Sequence, residues 1–588
     1  MDKNRKRVRT VLVLFLVPMA ALACRLFSIQ VICHDDFSEV ATAQYEMVIE
    51  GIDTRGQIFD RNMKPLTGGS CQYYYIIKRE RMTDEGSELL ASIGAGQLTA
   101  DDSKYLVYRS EMYSEEINER LKSDFNAYVF CSTSRYSDAQ PACHLVGYLN
   151  QSEKRGVSGL EYMFEERLKA GQNQLVLTAD AAGNILPGRA PYIRSEEGAA
   201  PEDNSIVTSI ELGLQKKCEE LMEEACGNSA ASGSGACIVT DAASGEIIAM
   251  ASVPTFNPNR IADCLQSDGD CLINKTLQAA YPPGSVFKLV VAAAALENGF
   301  CTADCQYKCS GVTEVEGVTV SCSTAPAGGH GMIDMCEAMA HSCNCYFAQL
   351  GRDIGRDAVL DMALRMGLGT EVFDDYPEES DGLVPDVSET DRQEISNISI
   401  GQGRLLTTPL QISRLTTIIA GGGASRPLHV LAGRSGQSSS EAISPTASVP
   451  AVASAEPGDV NAITNSASTA AADEISRQFI SPQTAQTLQT MMSGVMTDGT
   501  GSSKAWELPV WGKSGTAEAL RGGRAVKDCW FTGFCDIDLP ETDVYGADRS
   551  RRFVITVFVE DGVSGSATAL PVFRKITEYL SAHVEDFI

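Results

Sequence analysis

Positive charge is scarce in this chain. Its 588 residues carry 48 Lys plus Arg against 77 Asp plus Glu, a formal net charge of −29. A general nucleic-acid binder needs the opposite balance to meet phosphates, so that class is disfavoured. A second long apolar run is missing, which excludes a multi-span membrane protein. No fixed-period repeat appears, so a solenoid or propeller array is not indicated. With 44% hydrophobic and 21% charged residues the chain is neither disordered nor collagen-like, and its length predicts two to four domains.

What basic charge there is clusters at the start: Lys3, Arg5, Lys6, Arg7 and Arg9 stand against Asp2 alone. Thr10 to Cys24 is uncharged, and after Arg25 the apolar run resumes to Ile32. About 20 residues cross a bilayer as a helix, so 10–32 reads as a transmembrane signal anchor, with Arg25 snorkelling. The basic tip, 1–9, is then cytoplasmic and the bulk lies outside. Ala21-Leu22-Ala23 also resembles a signal-peptidase site, but the apolar stretch continues past it.

Nineteen cysteines is many. Outside the cytoplasm they can form disulfides, or they serve as small buried apolar residues. The group Cys301, Cys305, Cys309 and Cys322 lacks a paired C-x2-C and sits in a Gly/Thr/Val-rich hairpin, so a Cys309–Cys322 crosslink is expected there rather than zinc.

Residues 33–204 alternate short strands and turns, without paired groups that suggest catalysis. From 205 the pattern sharpens. Glu211–Cys226 has helical apolar spacing, and Ala236–Asp241 with Glu246–Ala251 reads as a β-hairpin. Pro509–Gly512, Cys529–Cys535 and Arg552–Glu560 read as three more strands, and Pro571–Phe587 as a closing helix. Two strands early and three late, with helices between, predict an antiparallel sheet covered by helices, plus a helical lobe from the middle. Residues 434–473 are Ser/Ala/Pro/Thr-rich and read as a low-complexity surface insertion.

The sharpest feature is Tyr281-Pro-Pro-Gly-Ser-Val-Phe-Lys288 before the apolar run Leu289–Leu296. The turn residues place Ser285 near a helix N-terminus, and Lys288, three residues on, shares its face. A serine hydroxyl needs a base to become a nucleophile, and a half-buried lysine can lose its charge to serve as one. Two companions follow: Ser342-Cys343-Asn344, in an expected helical run Met332–Leu350, and Lys513-Ser514-Gly515-Thr516, expected at a strand end. His330, in a glycine-rich turn, reads as structural, because a lysine already fills the base role.

The trio S-x-x-K, S-x-N and K-S-G resembles the motifs of penicillin-binding proteins and class A β-lactamases. Arg55–Asn62 (RGQIFDRN), Gly156–Glu161 (GVSGLE), Ser399–Gly403 with Thr408–Gln411 (SIGQG, TPLQ) and Gly499-Thr500-Gly501 extend the likeness over nearly the whole chain. It is similar to a class B penicillin-binding protein, a monofunctional peptidoglycan D,D-transpeptidase. That resemblance implies a multidomain α+β chain: a transmembrane helix, a mixed α/β pedestal at 33–204, and a penicillin-binding, β-lactamase-like transpeptidase domain at 205–588 with a five-stranded antiparallel sheet. It departs from the pattern at Cys343, where Asp is common, and at Ser514, where Thr is common.

On the same resemblance Ser285, Lys288 and Ser342 are the catalytic residues. Asn344, Lys513, Ser514, Gly515 and Thr516 bind substrate, and no metal or organic cofactor is required. The implied partners are peptidoglycan stem peptides ending in D-Ala-D-Ala, β-lactams, and a membrane-embedded glycan polymerase of the SEDS family; nucleic acid is not one. A β-lactamase or D,D-carboxypeptidase would use the same serine, but no E-x-x-L-N lies between Asn344 and Lys513. A membrane-anchored scaffold has no need to keep Ser285, Lys288 and Lys513 together, and a β-lactam sensor is expected to have further spans and a cytoplasmic signalling domain, whereas nine residues precede the anchor.

Overall fold

The computed structural model describes residues 2–32, 46–49, 55–68, 70–100, 104–150, 155–169, 174–178, 192–194, 204–227, 233–266, 271–373, 376, 378–432, 476–502, 505–538 and 550–587. The expected insertion at 434–473 falls outside them. The chain divides into two compact units, 1–56 with 68–135 and 169–204, and 57–67 with 136–168 and 205–588. Two pieces of the expected 33–204 pedestal therefore group with the C-terminal unit.

In the first unit the helix Asp2–Phe27, continued by a π-turn over Ser28–Ile32, contains one stretch, Val11–Gln30, long and apolar enough to cross a membrane. A four-stranded antiparallel sheet runs in the order Gly96–Gln97, Tyr105–Ser110, Ser70–Lys78, Tyr128–Ser134. Helices Asp84–Ser92 and Glu115–Phe125 start on the side chains of Thr83 and Ser114, which accept backbone N–H bonds as N-caps. They bury Leu90, Leu121 and Phe125 against Tyr75 and Ile77.

In the second unit α1 (Leu212–Gly227) precedes the hairpin β1 (Gly235–Asp241) and β2 (Ile247–Val253). The helical lobe follows, with α2 (Lys288–Glu297), α3 (Met335–Ala340), α4 (Asn344–Ile354), α5 (Pro409–Ala420) and α6 (Pro482–Thr497). The chain closes with β3 (Val510–Arg521), β4 (Arg524–Asp538), β5 (Ser550–Val559) and α7 (Leu570–Ala582). The five strands form one antiparallel sheet in the order β2-β1-β5-β4-β3, as expected. Strands β1 and β2 are buried on both faces, so they read as continuous apolar runs rather than alternating ones.

Two local expectations need correction. Residues 332–350 are not one helix: Gly331–Ile333 is a strand, and α3 and α4 are separated by His341, Ser342 and Cys343. Ser342 takes φ +54°, a left-handed conformation no helix interior contains. Lys513 does not end a strand; β3 continues eight residues further, to Arg521, because its partner β4 matches it residue for residue.

The family-like segments outside the cleft are structural within this unit. Asp60, fully buried, accepts from Asn62 N (2.8 Å), Lys64 N (2.7 Å) and Leu212 N (3.2 Å), pinning the 57–67 segment to the start of α1. Buried Glu161 accepts from Tyr136 Oη at 3.0 Å. Thr408 and Gln411 form a capping box that starts α5.

Candidate active site

Ser285 sits on a 3-10 turn, Gly284–Phe287, that runs directly into α2. Gly284 has φ +55°, and a Cβ there would come within 2.8 Å of Thr516 O. A Cβ at Gly401, φ +73°, would lie 1.9 Å from Gly284 O, while Gly284 N donates to Gly401 O at 2.9 Å. Both glycines are needed because backbone meets backbone there. Trp530 Nε1 donates to Pro282 O at 2.9 Å, so β4 supports the same turn. The turn that carries Ser285 is thus clamped between β3, β4 and the Ser399–Gly403 segment.

Helix α2 is buried on all sides over its first eight residues, Lys288 included. Its Nζ lies 3.0 Å from Ser285 Oγ, 3.1 Å from Ser342 Oγ, 2.7 Å from Ser342 O and 2.7 Å from Asn344 Oδ1. The two shortest contacts are to a carbonyl and an amide oxygen, which can only accept. A neutral amine satisfies them with its two N–H bonds and turns its lone pair to the hydroxyls of Ser285 and Ser342. Burial pushes Lys288 down to about 8, the direction that favours this base form.

The left-handed turn at Ser342 is what lets its carbonyl and hydroxyl both reach Lys288. Asn344, the first residue of α4, directs Nδ2 to Ser321 O at 3.0 Å, which leaves its second amide hydrogen free of that bond. Cys343 points the other way, fully buried, and its sulfur caps α4 by accepting from Tyr346 N at 3.5 Å. The departure at this position therefore leaves the cleft unaltered.

Lys513, also fully buried, places Nζ 3.0 Å from Ser342 Oγ and 2.8 Å from Ser514 O. Burial first, and then the Lys288 charge, push it well below the usual lysine range. Ser514 Oγ lies 2.8 Å from Thr500 Oγ1, a contact the sequence reading did not assign although it had singled out Gly499-Thr500-Gly501. That turn is fixed to α3, since Thr500 N donates to Ala340 O at 3.2 Å. Gly515 is required for approach, as a Cβ there would meet Pro283 O at 2.9 Å. Thr516 Oγ1 accepts from Gly565 N at 3.1 Å, so its hydroxyl proton remains able to donate. All eight sequence-predicted site residues come together.

A family model described as the penicillin binding protein transpeptidase domain matches residues 235–578. The chain belongs to that transpeptidase family. Among curated proteins, the transpeptidase is 24% identical to the stage V sporulation protein D of Bacillus subtilis, over 97% of this chain and 85% of that one. It is 25% identical to the peptidoglycan D,D-transpeptidase MrdA of Acinetobacter baumannii, over 73% and 69%. Its fold matches a chain of a peptidoglycan synthase complex that coordinates polymerization and crosslinking, with TM-score 0.71, 23% identity and 98% of both chains covered. With its apolar N-terminal helix, the transpeptidase is a membrane-anchored protein.

In this site two lysine amines and two serine hydroxyls lie within hydrogen-bond reach of one another. His330, read as a structural turn residue, lies outside the Ser285 cleft against Cys322, with Nδ1 3.5 Å from Sγ. Cys309 and Cys322 are free thiols, not the expected crosslink, and Cys264–Cys271 is a disulfide the sequence did not single out.

Proposed function

We propose that the transpeptidase crosslinks peptidoglycan stem peptides through an acyl-enzyme on Ser285, and that penicillin is trapped there. The observation that carries this reading is the buried Lys288 amine 3.0 Å from Ser285 Oγ, with its charge disfavoured. Ser285 Oγ attacks the carbonyl of the penultimate D-Ala as its proton passes to Lys288 Nζ. The proton then moves through Ser342 Oγ to the nitrogen of the departing D-Ala, and the C–N bond breaks. An amine from a neighbouring stem peptide attacks the ester carbonyl and gives up a proton to Lys288 Nζ, the bond from the acyl carbon to Ser285 Oγ breaks, and Oγ takes that proton.

The close approach of Gly284 to Thr516 O supports an oxyanion hole made by the N–H groups of Ser285 and Thr516, with each such donor worth about 3 kcal/mol. Lys513, Ser514 and Thr516 hold the terminal carboxylate, and Asn344 orients a substrate amide. A β-lactam presents a similar amide in a ring, so its leaving group stays tethered to the acyl-enzyme. Residues 1–9 face the cytoplasm and the bulk lies outside, by the basic flank. A membrane-embedded glycan polymerase is the expected partner, supported by the likeness to a synthase complex that joins polymerization to crosslinking.

The test is intact mass spectrometry of the full chain after benzylpenicillin and after a chase, with Ser285→Ala beside it. One persistent adduct, absent from the variant, is expected. A transient adduct with hydrolysed drug accumulating would instead make the protein a lactamase.

A further inference from the structure

We propose that the transpeptidase carries a structural zinc ion behind its second motif, bound by Cys309, Cys322, Cys343 and His330. These four residues come from four separate places: the end of strand Tyr307–Cys309, the residue after strand Val318–Ser321, the turn before Gly331–Ile333, and the cap of α4. Folding nevertheless brings one donor atom of each within 4.8 Å of all the others. The three cysteines are buried free thiols and the imidazole is partly buried.

The distances fit a metal better than a disulfide. A tetrahedral zinc with bonds of about 2.3 Å to sulfur and about 2.0 Å to nitrogen sets S···S edges near ~3.8 Å and S···N edges near ~3.5 Å. Cys322 Sγ lies 3.8 Å from Cys343 Sγ and 3.5 Å from His330 Nδ1. Cys3His is a closed structural donor set. A backbone N–H group faces one of the sulfurs, as a thiolate requires: Tyr346 N donates to Cys343 Sγ at 3.5 Å. Cys345 lies alongside, but its thiol points at Val320 O, 3.7 Å away. Binding displaces three thiol protons to solvent, with no oxidant or reductant involved.

The ion also answers a structural need. The excursion from Cys309 to Ile333 meets the main core through Cys309, Cys322 and Ile333 and otherwise packs Val315 and Val320 on Ala348, so the same cysteines that join it to the core stand at the metal site. A tetrahedral crosslink would fasten it to the turn carrying Ser342 and Asn344, since Cys343 stands between them. Asn344 is already bonded to Ser321 O, next to Cys322. This explains Cys at a position where the family commonly has Asp. Zinc is then a positioning element for the Lys288 contacts, not a participant in acyl transfer.

The experiment takes the detergent-solubilised full chain, measures zinc by elemental mass spectrometry and records its X-ray absorption. The expected result is one zinc per chain with three sulfurs at about 2.3 Å and one nitrogen at about 2.0 Å. Cys322→Ser and His330→Ala should each weaken zinc retention about 10–100-fold, while Cys301→Ser, outside the cluster, retains it. Chelation should slow penicillin acylation about 10–100-fold, reversibly on adding zinc. A chain that takes up no zinc, or a disulfide among these cysteines in the native protein, overturns the site. Acylation that survives complete zinc removal overturns the positioning role. The absorption spectrum of the unmodified chain decides the ligand set even if the variants do not fold. The acylation readout rests on the proposed function, but the zinc content does not, so zinc-loaded protein that is never acylated counts against the transpeptidase reading alone.

Discussion

Lys288 and Lys513 converge on a single oxygen: their Nζ atoms lie 3.1 and 3.0 Å from Ser342 Oγ. Burial holds both side chains below the usual lysine range, and the Lys288 charge pushes Lys513 down further. On the proposed mechanism, a proton arriving at Lys288 has a short exit through Ser342.

Acylation should rise with pH through about 8. The Lys288 pKa is lowered to about 8, so the amine becomes a base as pH climbs past that value and is lost as one below it. The second-order rate constant for benzylpenicillin, measured from pH 6 to 9, should show this ascending limb. Lys288→Arg, which stays charged, should lose at least ~100-fold and show no limb. Linkage has the same sign: between about 8 and 10 the unfolded chain binds more protons at this site, so stability from Lys288 grows with pH there.

Gly401→Ala should damage fold and activity together. The added Cβ meets Gly284 O at 1.9 Å, backbone that cannot swing aside, and the residue has φ +73°. A loss of about 3 kcal/mol or more is expected in denaturant melts, with acylation at least ~10-fold slower in the protein that remains folded.

Thr500→Val should act on binding. It removes the 2.8 Å contact to Ser514 Oγ, a bond worth about 1 kcal/mol, so carboxylate-bearing ligands should acylate about 5-fold less efficiently at low concentration. The saturating rate should hold, and Thr500→Ser should restore the loss.

Asp60→Ala should destabilise without touching chemistry. Three part-buried backbone N–H groups lose a charged acceptor, at about 3 kcal/mol in total. Asp60→Asn keeps the Oδ1 bonds but turns an N–H toward Leu212 N, an intermediate cost of about 1–2 kcal/mol. Folded protein of either variant should be acylated at the unmodified rate.

The motifs, their order and the elements with strong local signals are legible along the chain alone. Pro282, Pro283 and Gly284 before an unbroken apolar run fix a turn into a buried helix, and β1, β2 and β5 are apolar enough to be buried strands wherever they pack. Local chemistry also placed Ser285 and Lys288 on one face, because three residues along a helix suffice for that. What local pattern could not show was the break at Ser342, whose left-handed turn is stabilised by distant partners, Lys288 and Lys513, rather than by its neighbours. Thr500 stayed unassigned because its partner, Ser514, lies fourteen residues away on another element. The cysteines were misread for the same reason: spacing along the chain grouped Cys301 and Cys305 with Cys309 and Cys322, while folding brought in Cys343 and His330 instead. Thiol and imidazole positions depend on how a hairpin, a turn and a helix cap meet in space, and only the tertiary structure decides that.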